Sequence, residues 1–154
     1  MAETLIVEAE ISELSRASEW AAAFGQRHAL PQSTLFAIQL CIEEALSNIV
    51  QYGFADCHDV DPRNKGIHLS LKRQDNAITA TIEDRGVAFD PLGVSAPAQP
   101  TAIGDVPLGG RGIHLIREFA QKLEYERLNG VNRLMLSFAC PNQADTPRSQ
   151  DIPI

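Results

Sequence analysis

The chain is poor in cysteine and in positive charge, and each shortage excludes something. Cysteine occurs only three times, at Cys41, Cys57 and Cys140. No two of them form a CxxC pair, which argues against a zinc ribbon or a disulfide frame and for a reducing, cytoplasmic setting. The four histidines show no metal-ligand spacing. Thirteen basic residues stand against 20 acidic ones, for a net charge of −7. Direct binding to a nucleic-acid backbone is therefore not the expected activity. No apolar run approaches the roughly 20 residues of a membrane span. The acidic opening MAETLIVEAE lacks the basic start of a signal peptide, so no membrane partner is expected.

What the chain does have is the composition of one ordinary globular domain: 154 residues, 44% hydrophobic and 21% charged. Residues 4–10 alternate Leu5, Val7 and Ala9 with polar neighbours and predict a strand. Leu14, Ala17, Ala21, Phe24 and His28 mark one face of a helix over 12–28, with His28 as a packed or capping residue. Pro31 breaks that helix. A second one opens at Gln32 or Ser33 and carries Leu35, Ile38, Ile42, Ala45, Leu46 and Ile49 as a buried stripe. Gly53 is placed to end it in a left-handed cap. Two alternating runs, 67–73 and 77–84, read as a hairpin, as do 123–128 and 133–138 around Asn129-Gly130. Between the hairpins lie residues 91–109, with four prolines, little charge and no period. A helix follows, headed by the glycines of 109–112 and carrying Ile113, Ile116, Phe119, Ala120 and Leu123 on one face. The order β-α-α-β-β-loop-α-β-β fits an α+β, two-layer α/β sandwich: a mixed, mainly antiparallel sheet with helices on one face. Residues 1–140 form the domain and 141–154 a flexible tail.

Three stretches carry chemistry. In CIEEALSNIVQYGF, Glu44 and Asn48 lie four apart and project from one helix face. Asn48 is either a surface amide or an oxygen ligand for a hard cation such as Mg2+. In IEDRGVAFDP, Asp84 ends a strand two residues before Gly86. This is either an ordinary turn or a carboxylate that accepts from an exocyclic amine such as adenine N6, with Gly86 letting a planar base approach the backbone. In LGGRGIHLI, Gly110 and Gly112 precede a helix, as a plain helix entry or as an anion site made of bare N–H groups.

In this order the three resemble the boxes of the GHKL ATP-binding superfamily, the Bergerat fold. The likeness runs from about residue 4 to residue 138 and is greatest to the anti-sigma-factor serine/threonine kinases. EEALSNIVQYGF matches their N box, EDRGVAFDP their first glycine box and GGRGIHLI their second. The resemblance implies Glu44 as general base on a substrate hydroxyl and Asn48 as the ligand of Mg2+. It implies Asp84 and Gly86, followed by Ala88 and Phe89, at the adenine, and Gly110, Arg111, Gly112 and Ile113 around the phosphates. Residues 92–109 become a lid. Tyr52 departs from the family's usual His and Gln121 from its usual acidic residue, and Asp105 is the lid's only charge. Glu43 rivals Glu44 but lies about 100° round the helix. The implied function is an ATP- and Mg2+-dependent serine/threonine-protein kinase and anti-sigma regulatory factor. It would phosphorylate a STAS-type anti-sigma-factor antagonist, bind a sigma factor and form a homodimer. The alternative is a non-catalytic ATP-binding module of the same fold.

Overall fold

The computed structural model describes residues 1–54, 65–88 and 112–141. The segments containing Cys57, Phe89, Gly110, Arg111, the expected lid and nearly all of the tail lie outside them.

Alternating side chains build five strands: β1 (Glu3–Glu8), β2 (Gly66–Gln74), β3 (Ala77–Asp84), β4 (Lys122–Leu128) and β5 (Val131–Ala139). They form one sheet in the order β1-β2-β3-β5-β4. All four pairings are antiparallel, in keeping with the mainly antiparallel sheet expected from the sequence. Three helices, α1 (Leu14–Arg27), α2 (Gln32–Asn48) and α3 (Gly112–Phe119), complete the second layer. The core lies between the layers. Val7, Ile67, Leu69, Leu71, Ile78, Ala80, Ile82, Leu136 and Phe138 come from the strands, and Phe24, Ile38, Ile42, Leu46 and Ile116 from the helices. The other sheet face carries residues such as His68, Ser70, Thr81, Glu83 and Arg133. That is the one-sided pattern of an antiparallel sheet with one wet face.

Both hairpins use two-residue turns. Asp75-Asn76 joins β2 to β3 with Asp75 at φ 54°, and Asn129-Gly130 joins β4 to β5 with φ 53° and 78°. Two positive φ values make the second a type I′ turn, whose twist matches its strands. Nothing lies within 4 Å of a Cβ added at Gly130, so Gly130→Ala tests the backbone alone. We expect it to lower stability by about 1–2 kcal/mol, read as an earlier urea midpoint at unchanged slope.

Three expectations are corrected. Gly53 does not adopt a left-handed cap, because Gly130 is the one described glycine with positive φ. Instead α2 widens into a π turn over Ile49–Gly53, which brings the Gly53 carbonyl against the chain after β3. Phe119 does not join the core: it is 39% exposed and meets Phe36, itself 58% exposed, edge to face at 6.1 Å. Leu123 belongs to β4 rather than to the preceding helix. His28 does cap α1, stacking on Phe24 at 4.2 Å and lying 3.1 Å from Glu3 of β1.

Within the 22 residues Gln32–Gly53 a window reaches a mean hydropathy of 1.2, enough by length and composition to cross a bilayer. The sequence reading found no such stretch, because Glu43 and Glu44 interrupt the apolar run. Here the helix's apolar face, from Ile38 to Leu46, is the centre of the core.

Candidate functional site

The widened end of α2, the end of β3 and the β4–β5 pair converge on one hollow of about 50 Å3. Its walls are mainly apolar, with Ala45 and Ile49 from the α2 segment, Ile82 from β3, Leu134 from β5 and Ile116 from α3. Its polar groups are few: Asn48, Tyr52, Asp84, Tyr125 and Asn132. The hollow is small beside the roughly 300–1,000 Å3 of whole-ligand clefts. Among the described residues it has room for the edge of a planar group. Asn48 and Asp84, 36 positions apart in sequence, therefore share one cavity.

Asp84 is buried, with 6% of its surface exposed. Its Oδ1 accepts from the Gly86 N–H at 2.8 Å and from Asn132 Nδ2 at 3.1 Å. Among the described residues both of these bonds fall on Oδ1, and a ligand donor would meet Oδ2. Burial pushes the carboxyl above the ordinary aspartate range, opposed by Asn132, the Gly86 N–H and the charge of Arg127.

The reason for glycine at 86 is local. A Cβ there would lie 2.6 Å from the Gly53 carbonyl oxygen and 2.9 Å from Asp84 Oδ1. The next residue, Val87, donates its N–H to that same Gly53 oxygen at 2.9 Å. The end of α2 and the chain after β3 are thus laced together, and any side chain at 86 would part them. Gly86→Ala should cost about 1–3 kcal/mol of stability and shift Asp84 with it. Calorimetric titration with Mg-ATP and urea unfolding of the same variant would show both losses together.

Asn48 is buried, and its Oδ1 has no hydrogen-bond partner among the described residues. A buried oxygen left unpaired costs about 1–3 kcal/mol, so it calls for a ligand. A hard cation that takes one or two protein oxygens and completes its shell with water and phosphate fits that atom. Among the described residues no group of three His, Cys, Asp or Glu could hold a metal.

Glu44 lies one turn before Asn48 on α2, half-buried and outside the hollow's wall. Burial first, then the charge of Glu43, raises its carboxyl above the ordinary range. Cys41, one turn earlier, is fully buried, and its thiol is pushed up to about 12 by burial and by Glu44, so it is inert as a nucleophile. Ala88 is exposed just beyond Val87. Gly112 and Ile113 open α3, where N–H groups point outward from the helix end. Phe89, Gly110 and Arg111 fall outside the described residues. The sequence reading missed Asn132, Tyr125 and Arg127, which hold Asp84 from the β4–β5 side.

The sequence pattern described as a histidine kinase-like ATPase domain matches residues 7–138. The chain belongs to this family. As a histidine kinase-like ATPase domain it has a ready use for an apolar slot with one buried carboxylate: ATP binding. It is similar to the serine/threonine-protein kinase BtrW of Bordetella bronchiseptica, with 35% identity over 102 residues, 66% of this chain and 68% of that one. Its fold resembles the crystal structure of the RsbU and RsbW domains of Rv1364c from Mycobacterium tuberculosis. That match has a TM-score of 0.61 at 14% identity and covers 89% of this chain. The chain spans 32% of that longer structure, so the likeness speaks for the fold alone.

Proposed function

We propose that this ATPase-family domain is a cytoplasmic, Mg2+-dependent serine/threonine-protein kinase and anti-sigma regulatory factor. Its substrate is a STAS-type anti-sigma-factor antagonist, its other partner a sigma factor, and its working form a homodimer. The observation that carries the reading is the shared hollow, whose wall holds both the fixed Asp84 carboxylate and the buried Asn48 carboxamide. The kinship with a serine/threonine kinase supports transfer to a hydroxyl, and the three boxes support the anti-sigma setting.

Asp84 Oδ2 accepts from the exocyclic amine of the base, while the apolar walls exclude water from it. Asn48 Oδ1 would hold Mg2+, which neutralises charge on the phosphate oxygens. The N–H groups that open α3 at Gly112 face the phosphates. Glu44 takes the proton from the attacking serine Oγ as the bond to the γ-phosphorus forms and ADP leaves. Its raised pKa brings it nearer the working pH, where a general base is most effective. The product phosphoserine carries about 1.5–2 negative charges and disrupts the docked surface by repulsion.

The test is incubation of the protein with labelled ATP and the antagonist encoded beside it. Label should appear on one serine of the antagonist. Tight ATP binding without transfer would replace the kinase by the non-catalytic binding module. No binding of Mg-ATP would sink both.

A further inference from the structure

The side of the hollow away from the helices is closed by β4 and β5, and three of their side chains act on Asp84. Asn132 is buried, with 5% of its surface exposed, and stands directly across from Asp84 in the β3–β5 register. Its Nδ2 faces three acceptors: Asp84 Oδ1 at 3.1 Å, the Val87 carbonyl at 2.9 Å and the Gly86 carbonyl at 3.3 Å. Its Oδ1 accepts from the Tyr125 hydroxyl and from Arg127 Nη1 at 2.8 Å. Arg127 Nη1 also donates to the Gly86 carbonyl at 3.1 Å. The amide therefore has one workable orientation. Flipped, its oxygen would meet three acceptors and its nitrogen two donors. Loaded at Oδ1 by Asn132 and the Gly86 N–H, the Asp84 carboxylate is fixed in orientation, with Oδ2 as the oxygen that would accept from a base.

We infer that Asn132, locked by Tyr125 and Arg127, is the positioning residue that sets base selectivity, making the site accept a 6-amino purine and reject a 6-oxo purine. The inference rests on the nucleotide reading above and deepens it. A 6-oxo group would set its lone pairs against Asp84 Oδ2. An unclamped Asp84 in the same apolar slot would be driven toward its protonated form, and a protonated carboxyl donates to a 6-oxo group as readily as it accepts from an amine. The clamp keeps it an acceptor. Among the described residues, the polar and charged groups facing Asp84 are Tyr125 and Arg127 from β4, Asn132 from β5 and Tyr52 from the π turn, with Asn48 on the α2 wall and Ile116 from α3. On β3 itself, Glu83 turns to the other sheet face and pairs with Arg133, and Arg85 is exposed.

The decisive variant is Asn132→Asp, titrated as the full chain with Mg-ATP and Mg-ITP between about pH 5 and 8. Two carboxylates in hydrogen-bond contact share one proton. Below the upper ionisation of that pair, the shared proton takes the place of the amide N–H, and ATP binding survives. Above it, both are charged, Asp84 is pushed aside, and ATP affinity should fall at least about tenfold. Wild-type protein should show no such step and should prefer ATP to ITP throughout. Tyr125→Phe removes one of the two locks and should narrow the ATP-over-ITP ratio about fivefold. A merely structural Asn132 would change the melting temperature in both variants without changing the pH profile or that ratio, and this would overturn the inference. If Asn132→Asp does not fold, an unchanged ratio in Tyr125→Phe overturns it alone. Wild-type protein that binds neither nucleotide would instead defeat the functional reading on which the clamp depends.

Discussion

Glu44→Gln should abolish transfer of phosphate to the antagonist, by about 10²–10⁴-fold, while Mg-ATP affinity stays close to that of the wild type. The residue lies outside the wall of the base slot, so the change leaves the purine contacts alone and removes only the proton acceptor. The pH profile gives a second readout. Glu44 acts as a base only when ionised, and burial, reinforced by Glu43, holds its pKa above the ordinary range. Transfer by the wild type should therefore rise with pH through that raised pKa, and the rise should vanish in the variant. The effect on stability has the opposite sign. A carboxyl whose pKa is raised by folding binds its proton more tightly in the native state, so its contribution to stability declines as pH rises through that interval. Glutamine cannot ionise, and the variant should be at least as stable as the wild type at neutral pH. Thermal unfolding and label transfer on one preparation would separate these effects. Transfer that survives in Glu44→Gln would eliminate proton abstraction by this residue and leave Glu43 or solvent as the base.

Much of this site was legible in the chain because its parts obey local periodicities. The α2 stripe fixes which side of the helix is buried, and Asn48 falls four residues after Glu44 whatever the tertiary structure. Asp84 ends a strictly alternating strand at a core-facing position, and its Asp-x-Gly spacing shows locally. Three features depend on contacts between distant segments and so left weaker traces. The π turn at Ile49–Gly53 arises where the Gly53 carbonyl meets the chain after β3, and periodicity alone cannot distinguish it from a capped helix. Phe119 fits the apolar spacing of α3 but finds Phe36 at the surface instead of the core. The clamp needed knowledge that β5, and not β4, lies beside β3. One signal was available: Asn132 shares its strand phase with Leu134, Leu136 and Phe138, so it is a polar residue on a core-facing position. Such a residue needs a buried partner, and Asp84 is the buried carboxylate it finds.

Asp84→Asn should destroy ATP binding without disturbing the fold, because of how its hydrogen bonds are shared. Both protein bonds fall on Oδ1, so an asparagine oxygen in that place can keep the Gly86 and Asn132 donors. The substitution then acts at the other atom: an NH2 group replaces Oδ2 and meets the exocyclic amine donor to donor. A site built around one polar contact discriminates strongly when that contact is reversed, and a loss of about 10²-fold or more in ATP affinity is expected. Stability should move the other way. Burial raises the Asp84 pKa, so the native state holds the proton more tightly than the unfolded chain does. Ionisation above the unfolded pKa therefore works against folding at neutral pH. Removing the charge should hold or raise the urea midpoint at neutral pH, with the gap from the wild type closing as pH falls below the ordinary aspartate range. Calorimetry with Mg-ATP and urea unfolding at two pH values would check both halves. A variant that binds ATP as the wild type does would remove Asp84 from base recognition, whereas one that loses binding and unfolds more readily would make it a structural residue of the β3–β5 pair.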